Sequence, residues 1–156
     1  MVSTSLDHRP ITLASTIVTA EERILARRTF RGVPEQVRVA RGWLTQIVDG
    51  FAAVDEVLLA CSELVANAIM HSESGRPGGY FTVRLAIRAD IVRVEVLDEG
   101  GPWPGGHGRS GFSGGQAEED ASQCGRGLAI VAAITDAWGI AGDQDGRTAW
   151  CEIRSE

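Results

Sequence analysis

Three regimes of hydrophobic and polar spacing follow one another along this chain. Residues 1 to about 22 show no sustained period; they mix Ser and Thr with small apolar residues and read as a flexible tail, with one edge strand at most in "ITLASTIV". Regular patterning begins at residue 23 and runs to 156, which sets the expected domain. "RILARRTF" has strand character. After Gly32 and Pro34, the residues Val37, Ala40, Leu44, Ile47 and Phe51 recur every three or four positions, the period of a helix that buries one face. Pro34 suits the first turn of that helix and Gly50 its C-terminal end.

A second helix is expected from about Val54 to Ser72, where "SGRPGG" breaks it. With Glu63 set at zero and about 100° per residue, Val57, Leu58, Cys61, Leu64, Val65, Ala68 and Ile69 fill roughly 100° to 240° and form the buried side. The spacing then changes to strict alternation. Phe81, Val83, Leu85 and Ile87 point one way, with Thr82, Arg84 and Arg88 the other, and "IVRVEVLD" repeats the pattern after a turn at Ala89–Asp90. The pair reads as an antiparallel hairpin. A glycine-rich stretch covers roughly Gly101 to Cys124. "GRGLAIVAAITDAW" follows, a helix almost without charge and hence expected to be buried. "WGIAG" and "RTAWCEIR", joined at "DQDG", close the chain as two strands. Helices alternating with antiparallel hairpins predict an α+β two-layer sandwich, with helices on one face of a mixed, largely antiparallel sheet.

Composition narrows the function classes. The 156 residues make one domain, and 44% hydrophobic content is ordinary for a globular protein that buries its own core. A net charge of −6 argues against a general nucleic-acid binder. All 15 basic residues are arginine, so a Walker A loop and a Schiff-base lysine are excluded. Three cysteines at 61, 124 and 151 fit no metal template and read as reduced thiols. No apolar run approaches the ~20 residues that cross a bilayer, and the N-terminus lacks a signal-like segment. A cytoplasmic protein, without membrane or direct nucleic-acid partners, is the expectation.

Four features carry candidate chemistry. On the second helix, Glu63, Asn67 and His71 recur every fourth residue, at about 0°, 40° and 80°. Their neighbours Leu59, Ala60, Ala66 and Met70 are small or apolar, which suits a pocket wall, although a part-exposed face with incidental polar residues has the same pattern. Asp98 is in phase with Val92, Val94 and Val96, so a carboxylate ends a core-facing row. It either caps the turn into Gly100 and Gly101 or meets a ligand. "GRGLAIV" opens a helix with two glycines, as a phosphate site or as a plain helix start. The glycine-rich stretch before it is longer than compact domains usually tolerate without a lid role. One decoy is set aside: "GHGRSG" at 106–111 matches a dinucleotide fingerprint but opens no helix.

In this order the features resemble the GHKL ATPases, the superfamily of gyrase, sensor histidine kinases and mismatch-repair ATPases that share the Bergerat fold. "ELVAN" looks like the N box, "DEGG" and "GRGLAIV" the two glycine boxes, and "GRTAW" the closing strand, over about residues 30 to 154. Within the superfamily, "NAIMH" and "TFRGVPEQVRVARGWL" are most similar to the bacterial anti-sigma-factor serine/threonine kinases. The resemblance implies a long Gly-rich ATP lid, and ATP and Mg²⁺ as cofactors. It implies Glu63 as the general base and Asn67 as a Mg²⁺ ligand. Asp98 would accept the adenine amino proton, with Gly100 beside the base. Gly125, Arg126, Gly127 and Leu128 would lie along the triphosphate, and Thr148 would support the adenine end. His71 either touches the site or is a plain helix C-terminal residue. The implied partners are an anti-anti-sigma STAS-domain protein and a sigma factor, with a homodimer a further expectation. "DEGGPWP" departs from the family pattern: the usual glycine after Gly100 is either shifted or replaced by Pro102. A nucleotide-gated binding module without significant kinase activity and a detached sensor-kinase catalytic domain are the alternatives; Met70 speaks against the second.

Overall fold

A computed structural model describes residues 21–102 and 125–155. The expected N-terminal tail, its edge strand and the glycine-rich lid fall almost wholly outside these residues.

The chain opens with strand β1 (Arg23–Arg31), followed by helices α1 (Glu35–Val48) and α2 (Val54–His71). The hairpin β2 (Tyr80–Arg88) and β3 (Ile91–Asp98) comes next. Helix α3 (Arg126–Ile134) precedes a second hairpin, β4 (Ala137–Asp143) and β5 (Gly146–Arg154). The five strands form one sheet in the order β1-β2-β3-β5-β4. The expected α+β sandwich is present. All four described ladders are antiparallel, so the parallel element implied by a mixed sheet is not among the described residues.

Parity decides which face of the sheet meets the helices. Phe81, Val83, Leu85, Val92, Val94, Val96, Ala149, Cys151 and Ile153 lie in one core with Ala40, Leu44 and Val48 of α1 and Leu64, Val65 and Ala68 of α2. Fully burying each of the larger aliphatic side chains contributes about 1.5–3 kcal/mol. Phe30 stacks on Phe81 with centroids 5.4 Å apart and meets Trp43 edge-on at 5.6 Å, joining β1, β2 and α1. The α1 stripe centres on Ala40, Leu44 and Val48, while Val37, Ile47 and Phe51 pack along its margins. The other face of the sheet is polar. Glu95, 7% exposed, accepts from Arg84 at 2.7 Å and from Arg93 at 2.8 Å, and Arg93 lies 4.1 Å above the Trp150 ring.

Helix α3 departs from expectation twice. It stops at Ile134 rather than running to Trp138. The Thr135 hydroxyl donates to the Val131 carbonyl at 2.7 Å, and the Asp136 amide donates to the Glu152 carbonyl at 2.9 Å, which turns the chain into β4. It is also only partly buried: Leu128 and Val131 enter the core, while Ala129 and Ala133 are exposed. Among the described residues no helix is long and apolar enough to cross a membrane.

Candidate functional site

Two loops at the end of α2 build one half of the site. Ser72, extended at φ −137° and ψ 172°, ends the helix; its hydroxyl donates to the Ala68 carbonyl at 2.6 Å and accepts from the Ser74 amide at 3.1 Å. The short 3-10 helix Glu73–Gly75 then runs against the turn after β3. The buried Ser74 hydroxyl accepts from the Glu99 amide at 2.9 Å, and the Glu73 amide donates to the Gly100 carbonyl at 2.8 Å. "SGRPGG", legible only as a helix breaker, is therefore the strap that joins the helix to the β3 turn.

Asp98 stands at the top of the core-facing row of β3. Its Oδ1 accepts from the Gly100 amide at 2.7 Å, so the turn-capping role is real. Gly100 adopts φ +74°, and a side chain there would meet the Gln144 carbonyl oxygen at 2.2 Å; no other residue fits. Burial pushes the Asp98 carboxyl above its ordinary value, and the Gly100 amide and the Arg147 guanidinium offset part of that push.

Arg147 is the functional candidate that sequence reasoning missed. It pairs with Asp98 in the β3–β5 ladder, and cross-strand partners share a face. Its Nε lies 3.5 Å from Asp98 Oδ1, and its Nη2 donates to the carbonyls of His71 at 2.8 Å and Gly100 at 3.4 Å. The signal was strand parity: in "RTAWCEI", Arg147 falls in the row of Ala149, Cys151 and Ile153. By the same parity Thr148, opposite Leu97, points to the other face of the sheet, away from Asp98. His71 joins this cluster through its backbone carbonyl, while its side chain is exposed.

The second half lies where α2 meets α3. Glu63 and Asn67 are half-buried on α2. A side chain on Gly127 would come within 2.9 Å of Glu63 Oε2, so glycine lets the carboxylate lie against the first turn of α3. Gly125 is at φ +89°, and among the described residues no atom lies within 4 Å of where its Cβ would be and no side chain caps the helix. The first N–H groups of α3, from Arg126 to Leu128, have no partner within the helix and stand at the positive end of its dipole. Leu128 contributes only its backbone there, because its side chain is 1% exposed in the core.

The arrangement offers an anion seat at a helix start, a hard oxygen donor at Asn67 and a carboxylate at Glu63. The half-buried carboxylate of Asp98 lies in the other half, linked through Arg147 to the His71 carbonyl at the end of α2. Among the described residues no group of three or more His, Cys, Asp or Glu is placed to hold a metal. A Mg²⁺ ion here would take Asn67 together with phosphate and water oxygens, which suits its preference for few protein ligands.

The sequence profile of the histidine kinase-like ATPase domain matches residues 30–151. No curated protein matches. Among 13 matching solved chains is that of the RsbU and RsbW domains of Rv1364c from Mycobacterium tuberculosis. It is 22% identical with a TM-score of 0.57, and the match covers 83% of this chain and 32% of that one. The chain thus spans about a third of that protein's length, and at this identity the likeness is one of fold.

Proposed function

The chain belongs to the histidine kinase-like ATPase domain family, and from that premise we propose that it is an ATP-dependent regulatory kinase of the anti-sigma type. It transfers a phosphoryl group to a serine or threonine of a STAS-domain partner in the bacterial cytoplasm, and so controls the availability of a sigma factor. The observation that carries this reading is the meeting of Glu63 with the glycine-opened start of α3, where a residue-127 Cβ would lie 2.9 Å from Oε2. In this reading, that closeness supports Glu63 as a proton acceptor beside N–H groups that hold phosphate. The "NAIMH" motif and the likeness to a fold containing an RsbW domain support the anti-sigma type.

In this reading Asp98 accepts a proton of the adenine amino group. The N–H groups opening α3 hold the phosphates, with Arg126 as a charge partner. Asn67 would hold a Mg²⁺ ion, which would supply charge neutralisation to the phosphates. Glu63 takes the proton of the acceptor hydroxyl as its oxygen bonds to the γ-phosphorus and ADP leaves.

The test is transfer from γ-labelled ATP to a purified STAS-domain protein. Acid-stable label on a serine or threonine is expected. Acid-labile label would assign the chain to the histidine kinases instead. A second reading, a nucleotide-gated binding module, draws on the departure of "DEGGPWP" from the family's glycine box. ATP-dependent capture of the partner with no transfer would favour it.

A further inference from the structure

Of the arginines described, Arg147 alone is buried, at 6% exposure. Its guanidinium touches three separate segments: Asp98 at 3.5 Å, the Gly100 carbonyl at 3.4 Å and the His71 carbonyl at 2.8 Å. The first is the carboxylate assigned to the base. The second belongs to the turn beside it. The third ends the helix that carries Glu63 and Asn67, one turn past Asn67. The planar guanidinium presents Nε and Nη2 to these acceptors in a fixed geometry; a lysine ammonium has three donors but sits at the end of a flexible stem and lacks the fork. The Gly100 amide, at 2.7 Å, and Arg147 Nε, at 3.5 Å, both approach the same oxygen, Oδ1, and the Arg147 backbone amide is a further donor to the carboxylate.

We propose that Arg147 is a positioning residue of the nucleotide site: it sets the Asp98 carboxylate so that its second oxygen takes the proton of the base's exocyclic amino group, and it fixes that carboxylate in register with the end of α2. The inference rests on the nucleotide-site reading above. Donors on Oδ1 from two directions restrict how the carboxylate can turn. The bond to His71 then ties that orientation to the helix that meets the phosphates and metal, so the two ends of the nucleotide are gripped at a fixed separation.

The experiment is a ligand-by-variant cycle. ATP and its analogue lacking the 6-amino group, purine riboside triphosphate, are titrated with Mg²⁺ into wild type, R147M and R147K. Wild type should prefer ATP by about tenfold or more, the cost of leaving a buried acceptor without its donor. In R147M the preference should shrink to within about threefold, and R147K should recover part of it. A merely structural role would weaken both ligands alike and leave the ratio unchanged; an unchanged ratio in both variants overturns the proposal. Thermal melts accompany each titration, and R147K keeps the buried charge, so the ratio stays readable where R147M fails to fold. Equal binding of both ligands by wild type would also overturn it. Binding of neither by wild type would bring down the nucleotide reading itself, a distinct result.

Discussion

The two ends of the candidate site are built on opposite principles. At the base end, Asp98, Gly100, Arg147 and the His71 carbonyl are hydrogen-bonded to one another, with Asp98 and Arg147 side chains 10% and 6% exposed. At the phosphate end, Glu63 and Asn67 are half-exposed, and among the described residues no side chain caps α3 and none lies within 4 Å of where a Cβ on Gly125 would be. Among the described residues, the protein's own hydrogen bonds hold the first end more closely than the second. Preorganised donors and acceptors supply discrimination at little cost on binding, whereas an open anion seat adapts as phosphoryl groups move. The base end should therefore govern affinity and the phosphate end chemistry.

Substitutions can break that division, beginning with the largest effect. Glu63→Gln keeps the shape beside Gly127 and removes the proton acceptor. Phosphotransfer should fall about 10²- to 10⁴-fold while ATP affinity, read by calorimetry, barely changes. Loss of binding in this variant would place affinity at the wrong end. Gly100→Ala forces a side chain to 2.2 Å from the Gln144 carbonyl at a φ of +74°, and should cost about 2–4 kcal/mol of stability in a denaturant melt. Gly127→Ala meets only the far end of a flexible Glu63 at 2.9 Å. The fold should tolerate it, while displacement of the carboxylate slows transfer by about ten- to a hundredfold. Thr148→Val changes a residue on the far face of the sheet, and ATP affinity should stay within about twofold.

How much of this was legible depended on which period a residue obeyed. The polar face of α2 was readable because Glu63 and Asn67 break an otherwise regular helical stripe, and six of the seven residues assigned to its buried arc are buried. Asp98 was readable because alternation placed it in phase with three valines. The same alternation in β5 places Arg147 on the core face, but a buried arginine contradicts expectation, and the family's closing-strand motif singles out Thr148 instead. Ser74 left no periodic trace at all. It is buried because a turn folds back on the β3 loop, and that contact spans 25 residues of sequence. Leu128 lay inside a glycine motif, yet its side chain follows the helix stripe into the core.

Asp98 gives the central claim its most direct test. Its carboxyl is pushed above the ordinary value of 3.8 by burial. The ionised group thus costs stability above that raised pKa, and the cost is relieved as pH falls through it toward 3.8. Ligand binding runs the other way, because the base needs the ionised form. The decisive measurement is a calorimetric titration of Mg²⁺–ATP into wild type and Asp98→Asn from neutral pH down to the acid limit of the fold. The account predicts wild-type binding that weakens as pH falls through the raised Asp98 pKa. It predicts at least about tenfold weaker, pH-flat binding in the variant. Equal affinities at neutral pH would contradict it, and the base would have to be read elsewhere.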